Sequence, residues 1–485
     1  MNPLRNRFLR VFAFLSIFML EPAVAQETQV LGLRQYLSNI ALYHPLAKQA
    51  QLAEMQGEAF LLEQKGNLDP YLYGYYNNKF FEQSHYYDQL NAGIVVPTYI
   101  GIDVKAFYET AGGAYLNQEN TLPDGGLLNI GVEIPVLQGL LMDQRRADIQ
   151  SAKVFGEVAK VQRVKMLNDL YLGALSAYVN WTVAYERLNL MRRAIELAEI
   201  RFNAVKESYI QGKNPAIDTL EAYIQYQNRV IGFYDTELLF IKRSLELSNF
   251  LWLEDETPAV IIPGTIPMGL NALADELPEM AWKEADLLLM IDAHPEVMMA
   301  LYKVEMADID RRLMVEKLKP KLNLQYNFLN SYSDFGMNNE WWGAYSFNNY
   351  KMGIQFEMPI FLREGRGSLQ GAKFKLEQSG YELDQKSLSI RNKALQHFAE
   401  TQVLAEQVLR YNQMATNSFA LLQGENNRFL AGSSSLFLVN ARELSWMDSQ
   451  VKSLETEGKY REANFTLWHS VGVLHLLVSQ TINQP

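Results

Sequence analysis

The longest regular pattern in the chain is helical. From Val164 an apolar or aromatic residue returns every three or four positions, through Leu167, Tyr171, Ala174, Tyr178, Trp181, Ala184, Leu188, Met191, Ile195, Ala198, Phe202 and Val205 to Tyr209. Only the step from Trp181 to Ala184 breaks the alternation of threes and fours. A seam held for more than about six heptads predicts a long helix packed along its length. At 1.5 Å per residue, the roughly 60 residues of 147–209 span roughly 90 Å, more than a globular core needs. A second long helix is expected over 368–429, after a glycine-rich stretch.

Two stretches in each half read as strands instead, three of the four alternating with period two. Leu322, Leu324, Tyr326 and Phe328 alternate with Asn323, Gln325 and Asn327. Met352, Ile354, Phe356 and Met358 alternate with Lys351, Gly353, Gln355 and Glu357, ending at Pro359. In the first half Ile130, Val132 and Ile134 alternate with Asn129, Gly131 and Glu133 before Pro135, while 71–76 is aromatic on both faces. Such alternation marks strands with one apolar and one polar face. That apolar face is either the core side of a soluble sheet or the lipid side of an outer-membrane barrel, and periodicity alone does not choose.

Polar, aromatic-rich segments separate the strands, 77–87 in the first half and 331–350 in the second. The second holds Trp341, Trp342, Tyr345, Phe347 and Tyr350, residue types that suit a bilayer interface. The first half is about 26 residues longer here. Within the excess, Ile100, Ile102, Val104 and Ala106 alternate with Gly101, Asp103 and Lys105, which fits an extra strand or an infolded loop.

The two halves repeat. His44-Pro45 and His294-Pro295 open helices 250 residues apart, and Pro70 and Pro320 keep the same offset. After Pro135 comes a glycine and basic corner, 139–146, beginning at Gly139, and after Pro359 a shorter one, 363–367, centred on Gly365. Each long helix ends at a glycine, Gly212 or Gly432, suited to a left-handed C′ position, and Asn214-Pro215 reinforces the first stop. The expected organisation is a signal segment 1–25, a first repeat 26–253 (strands within 70–135, turn region 209–222), a proline-rich linker 254–285, and a second repeat 286–480 (strands within 320–359, turn region 429–441). Each half reads helix, strand, strand, long helix, tight turn, helix. Four strands per chain are too few to close a barrel, so several chains would share one sheet, which favours a symmetric oligomer.

Composition narrows the setting. Arg5, Arg7 and Arg10, the apolar run 11–20 and Ala23-Val24-Ala25 read as a secretory signal removed after Ala25. Taking those three Arg and Glu21 away from 44 basic and 55 acidic residues leaves a net charge of −13, which gives no charge reason to bind nucleic acid. Zero cysteines in an exported chain put stability on packing or assembly. No later stretch offers 18 continuous apolar residues, so no helical membrane span is expected.

This constellation resembles the TolC-like outer-membrane efflux proteins over about residues 33–478. The likeness rests on the duplicated layout, the strand-Pro-Gly/Arg corners and above all the two helix tips. The first tip runs Tyr209-Ile-Gln-Gly212-Lys-Asn-Pro215-Ala-Ile-Asp218, and the second Phe429-Leu-Ala-Gly432-Ser-Ser-Ser435-Leu-Phe-Leu438. The first carries the family's aromatic three before Gly, its small residue or Pro three after, and its Asp six after. The second departs: Leu438 stands where an acid is common, and Ser434 where some members place a basic gate partner.

The resemblance implies a mainly α fold with a membrane β-barrel part. It implies a homotrimer whose twelve strands form one barrel in the outer membrane of a Gram-negative cell, continued through the periplasm by an α-helical barrel. Such a duct is passive, narrows at the tips and meets a periplasmic adaptor (membrane fusion) protein that couples it to an inner-membrane pump. A soluble periplasmic coiled-coil scaffold without a pore is the rival from another class, and a receptor or plugged barrel using the longer first-half loop is a second.

Candidate functional residues follow from this placement. Tyr209, Gly212, Pro215, Asp218, Phe429, Gly432 and Ser435 are candidates for gating and adaptor docking. Closure is expected to rest on packing of Tyr209 and Phe429, with Asp218 as a polar contact or simply an acid favourable to the helix dipole. Glu133 and Glu357 sit on the polar strand face, as solvated wall acids or as acidic rings that bias a lumen toward cations. His44 and His294 are repeat equivalents with a structural role expected, and His469 and His475 have no carboxylate at metal-ligand spacing. Neither metal nor cofactor is expected. No nucleophile elbow, phosphate loop, H-E-x-x-H or dinucleotide fingerprint is present, so the chain does not read as an enzyme.

Overall fold

Pro45 and Pro295 each sit at the first position of a helix, where a missing N–H costs nothing. The histidine before each proline supplies the cap. His44 Nδ1 accepts the Leu46 N–H and His294 Nδ1 accepts the Glu296 N–H, both at 3.1 Å. The repeat equivalence of the two histidines is therefore a shared capping geometry. Only a neutral imidazole can accept such a bond. Burial lowers the His44 pKa below 6.5, against a smaller raising effect from the Asn249 backbone. A histidine with a lowered folded pKa contributes stability that is complete above about pH 6.5 and is lost as pH falls toward the folded value. Replacing His44 by asparagine, which keeps a capping oxygen, is expected to remove about 1 kcal/mol of the stability lost by the wild type between pH 7 and pH 5. Parallel unfolding curves at the two pH values measure the difference.

The structure is a computed structural model that describes residues 29–213, 215–262, 264–276, 283–331 and 348–483. The expected signal segment 1–25, Asn214 of the first tip, Pro263 and Pro278 of the linker, and the loop aromatics Trp341, Trp342, Tyr345 and Phe347 lie outside the described residues. In chain order the elements are β1 (Val30–Leu31), α1 (Leu33–Tyr43), α2 (Pro45–Lys65), β2 (Tyr71–Phe81), β3 (Ser84–Pro97), β4 (Asp103–Gly112), β5 (Leu127–Pro135), α3 (Gln144–Ile210) and α4 (Ala216–Ser248). The second half follows with β6 (Ile266–Pro267), α5 (Leu270–Glu276), α6 (Glu284–Met290), α7 (Pro295–Glu316), β7 (Lys321–Ser331), β8 (Tyr350–Glu357), α8 (Arg363–Leu430), α9 (Leu436–Ser470) and α10 (Leu474–Asn483). The mainly helical fold with a sheet is as expected, and both long helices are present. Among the described residues, no helix is long and apolar enough to cross a membrane.

Three expectations need correction. The first half contributes four strands, β2 to β5, to the main sheet, where two were read with 100–106 left as an extra strand or an infolded loop; the extra strand is the alternative present, as β4. Segment 77–87 is not a loop but the end of a hairpin whose turn, Glu82-Gln83, has both residues in the left-handed region at φ 48° and 61°. At the second corner the left-handed residue is Leu362 (φ 50°), and Gly365 already lies in the first turn of α8. A Cβ at Gly365 would come 3.0 Å from Leu318 Cδ2, so its glycine serves close helix packing instead of a turn.

The chain divides into two compact units. One comprises the described residues of 1–48, 168–282 and 396–485, the other those of 49–167 and 283–395. In the first unit the α3 seam is the core: Ala174, Tyr178, Trp181 and Ala184 are all at most 1% exposed. Their polar atoms are paired, Tyr178 Oη donating to Leu31 O at 2.6 Å and Trp181 Nε1 to Ser244 Oγ at 2.9 Å. The Tyr36 ring lies 5.4 Å from that of Tyr178. Within the span expected as linker, β6 pairs in parallel with β1.

The second unit contains a six-stranded antiparallel sheet in the order β2-β3-β4-β5-β7-β8. Beside it, Met142 just before α3 and Ala147 and Val154 near its start pack with Ile309 and Leu313 of α7. Cross-strand partners share a face, so the register fixes both sides of the sheet. One side carries Leu72, Leu90, Ile94, Val104, Ala106, Ile130, Val132, Leu324, Tyr326, Ile354 and Phe356. The other carries Asn91, Lys105, Glu109, Asn129, Glu133, Gln325, Asn327, Lys351, Gln355 and Glu357. The apolar side is the bare one: Leu72 is 81%, Met352 61%, Ile354 62% and Phe356 64% exposed, while Asn129 and Asn327 opposite are at most 2% exposed.

Candidate functional site

Both helix tips end in the same hydrogen-bonded turn. Gly212 N donates to Tyr209 O at 2.8 Å and Lys213 N to Ser208 O at 2.9 Å; Gly432 N and Ser433 N make the equivalent bonds to Phe429 O and Arg428 O, each at 2.9 Å. This is a Schellman motif with its C′ residue left-handed, at φ 72° and 75°. Nothing lies within 4 Å of a Cβ built at either glycine, so the backbone angle alone requires it. The returning helices start differently. Ser435 Oγ accepts from Leu438 N at 3.4 Å, whereas Pro215 offers no side-chain cap and Asp218 stands in the first turn of α4.

Five of the seven predicted tip residues converge: Pro215, Asp218, Phe429, Gly432 and Ser435 line one cleft of about 620 Å³, together with Lys213, while Tyr209 and Gly212 do not line it. Beneath it Val205, Ala222 and Leu436 are buried, with Phe202 and Phe429 packed on them. Tyr209 is not part of that core and is 46% exposed. Ile217 (70%), Leu220 (59%), Phe437 (66%) and Leu430 (83%) add to an apolar tip surface.

Sequence reading missed the polar cluster above the tips. Glu443 of α9, with its side chain 3% exposed, faces Arg201 of α3 at 2.5 Å and Arg229 of α4 at 3.4 Å. The Arg201 contact is a close ion pair, while Glu443 Oε2 makes no hydrogen bond in good geometry. Arg201 Nη1 also donates to Asn440 Oδ1 at 3.2 Å, and Asn440 Nδ2 to Glu221 Oε1 at 3.1 Å. At the second tip Ser434 donates to the buried Glu425 at 2.5 Å, and Arg428 and Arg442 approach the same carboxylate at 3.7 and 3.9 Å. The position expected to lack a basic partner thus has a hydroxyl bound to an acid. The one available signal was a charge flanking the α3 seam, Arg201 beside Phe202.

On the polar sheet face neither predicted acid stands alone. Glu133 is paired with Lys105 of β4, and Asn323 Nδ2 lies 3.4 Å from it. Glu357 pairs with Lys321 at 3.1 Å. At the first corner, Gly139 is left-handed at φ 89°, Arg146 donates to the Leu140 and Gly139 carbonyls, and Arg145 Nη1 donates to Asp103 Oδ1 at 2.7 Å. Pro135 is the last residue of β5, and Pro359 stands two residues past the end of β8. His469 has Asp169 Oδ1 2.7 Å from its Nε2, a carboxylate 300 residues away in sequence and so outside any metal-ligand spacing. Among the described residues, no group of three or more potential ligands could hold a metal ion.

Residues 289–473 match the model of the family described as outer membrane efflux protein. The second half of the chain is thus similar to an outer membrane efflux protein domain. It takes in α7, β7, β8, α8 with its tip, and α9. The whole fold extends the likeness. The Campylobacter jejuni CmeC outer membrane channel superposes with TM-score 0.61 at 14% identity, covering 93% of this chain and 89% of that one. The open-state Neisseria gonorrhoeae MtrE outer membrane channel gives 0.64 at 14%, covering 90% and 88%. The outer membrane protein VceC of Vibrio cholerae gives 0.63 at 13%, covering 90% and 95%. No curated protein matches the chain. The resemblance to TolC-like outer-membrane efflux proteins carried by the tips holds across the fold.

Proposed function

We propose that three copies of this chain form a passive exit duct: a β-barrel in the outer membrane, continued into the periplasm by an α-helical barrel that opens and closes at the helix tips. A periplasmic adaptor docks at the tips and couples the duct to an inner-membrane pump, as in tripartite efflux or type I secretion systems. The pump supplies energy and selects cargo; the duct performs no chemistry.

One observation carries the reading. The sheet pairs β2 and β8 on one side only, among the described residues, and its bare face is apolar from β2 through β8. In water such a face would be covered, and in hydrocarbon an open edge is not tolerated. Lipid against the face and a further copy of the chain at each edge satisfy both conditions. The family match and the likeness to outer membrane channels support the same assignment.

In this reading Tyr209, Gly212, Pro215, Asp218, Phe429, Gly432 and Ser435 shape the gate and the adaptor surface. Pro135, Gly139, Pro359 and Gly365 turn the chain from wall to helix. Glu133 and Glu357 face the lumen, each neutralised by its lysine. Substituting both acids by glutamine leaves Lys105 and Lys321 uncompensated, so the reversal potential in a salt gradient is expected to move toward anion preference. An unchanged reversal potential would show that neither acid governs selectivity.

The deciding experiment takes the purified full-length protein. Extraction only by detergent, a cross-linked mass of three chains and stepwise conductance in planar bilayers are expected. Release by salt or osmotic shock with no conductance would overturn the duct in favour of a periplasmic scaffold.

A further inference from the structure

Resting on the duct reading, the geometry points to a wall wider than the resemblance implies. Among the described residues each chain contributes six strands to one sheet, so three copies close an eighteen-stranded barrel instead of a twelve-stranded one. The additional pair is the β3–β4 hairpin. It does not hang from the sheet but lies inside its order, between β2 and β5. The two first-half strands that connect to helices therefore never meet.

Three features make β3 and β4 wall strands, not a plug or an infolded loop. Their ladder runs without a register shift from Asp88↔Gly112 to Pro97↔Asp103, and β4 continues into β5 from Asp103↔Glu133 to Glu109↔Leu127. Their faces alternate in phase with the rest of the sheet. Leu90 and Val104 are 37% and 38% exposed on the apolar side, against 39% for Ile130 and 38% for Leu324 on strands present in both readings. A plug would bury both faces or wet both, whereas this pair repeats the wall's own alternation. The helix-side turn of the hairpin is also fixed to the strand-to-helix corner. Thr98 Oγ1 donates to Ile102 O at 2.6 Å, and Asp103 accepts from Arg145 at 2.7 Å.

Adding two strands preserves closure. Every neighbouring pair in the sheet is antiparallel, so β2 and β8 run in opposite directions and a β8–β2 junction between copies is antiparallel as well. Barrel diameter grows roughly in proportion to strand number. With strands about 4.8 Å apart and tilted about 40°, twelve give a backbone diameter of about 24 Å and eighteen about 36 Å. The wall then falls in the porin range, where an aqueous channel remains. The added lumen surface carries Asn91, Lys105 and Glu109 on β3 and β4.

Electron cryo-microscopy of the full-length protein in lipid nanodiscs, viewed down the barrel axis, tests this. A trimer with eighteen strands and a ring about 1.5-fold wider than a twelve-stranded one is expected. Deleting residues 84–112 leaves β2 antiparallel to β5 and is expected to return the ring to twelve strands; if that variant does not fold, the full-length strand count still decides. A membrane-embedded trimer with twelve wall strands, and β3–β4 outside the wall, overturns the inference while leaving the duct intact. Absence of any membrane-embedded trimer overturns the duct itself, and the inference with it.

Discussion

Replacing Glu443 by alanine is expected to cost about 3–5 kcal/mol and to loosen both helix tips, because it leaves two guanidinium groups facing each other without their shared acid. The Glu443 side chain is 3% exposed, and those of Arg201 and Arg229 only 19% and 10%, so water cannot take over the lost pairing. The cluster joins α3, α4 and α9 through three side chains and extends through Asn440 to Glu221. It therefore ties the hairpin of the first tip to the returning helix of the second. Amide hydrogen exchange should accelerate around residues 201, 229 and 443 before the rest of the first unit opens. Single-channel conductance should rise, since the hairpins are no longer held together. The glutamine variant keeps the volume and one acceptor and should lose less. If exchange and conductance both match wild type, the cluster is not what holds the tips. A double-mutant cycle with Arg201→Ala isolates the pair from the rest of the network.

What could be read from the chain, and what could not, divides by the range of the interaction. The α3 seam, the paired His-Pro openings and the tip glycines are local patterns, and the structure places each where its period or turn chemistry requires. The strands ending at Pro135 and Pro359 showed themselves for the same reason. The β2–β3 hairpin did not. Its turn is Glu82-Gln83, both left-handed, where an Asn-Gly or Asp-Gly pair would have announced a type I′ turn. β2 is aromatic on both sides, and Gly93 and Val95 blur the polar side of β3. Gly93 is needed there, since a Cβ would sit 2.4 Å from Phe107 Cβ on the neighbouring strand. The ionic contacts were invisible for a different reason. Arg229 and Glu443 are 214 residues apart, and Asp169 and His469 are 300 apart. No spacing rule reaches that far, and only folding brings such partners together.

Ile354→Arg should block insertion into the outer membrane, while the adjacent Gln355→Arg should not. The two residues are neighbours on β8 and point to opposite faces, paired with Leu324 and Asn323 respectively. Both are exposed, so neither substitution meets a packed core, and any difference between them reports what each face touches. An arginine on a lipid-facing position near the bilayer midplane costs about 2–4 kcal/mol, and three copies bring that to about 6–12 kcal/mol per trimer. On the polar face the same charge stands in water, two residues from Glu357 on the same face, where it is tolerated. Membrane fractionation with quantitative blotting measures the outcome: the Ile354 variant should be strongly depleted from the outer-membrane fraction and the Gln355 variant retained. Equal retention of both would mean that Ile354 does not face lipid, and the assignment of the apolar face to the bilayer would fall.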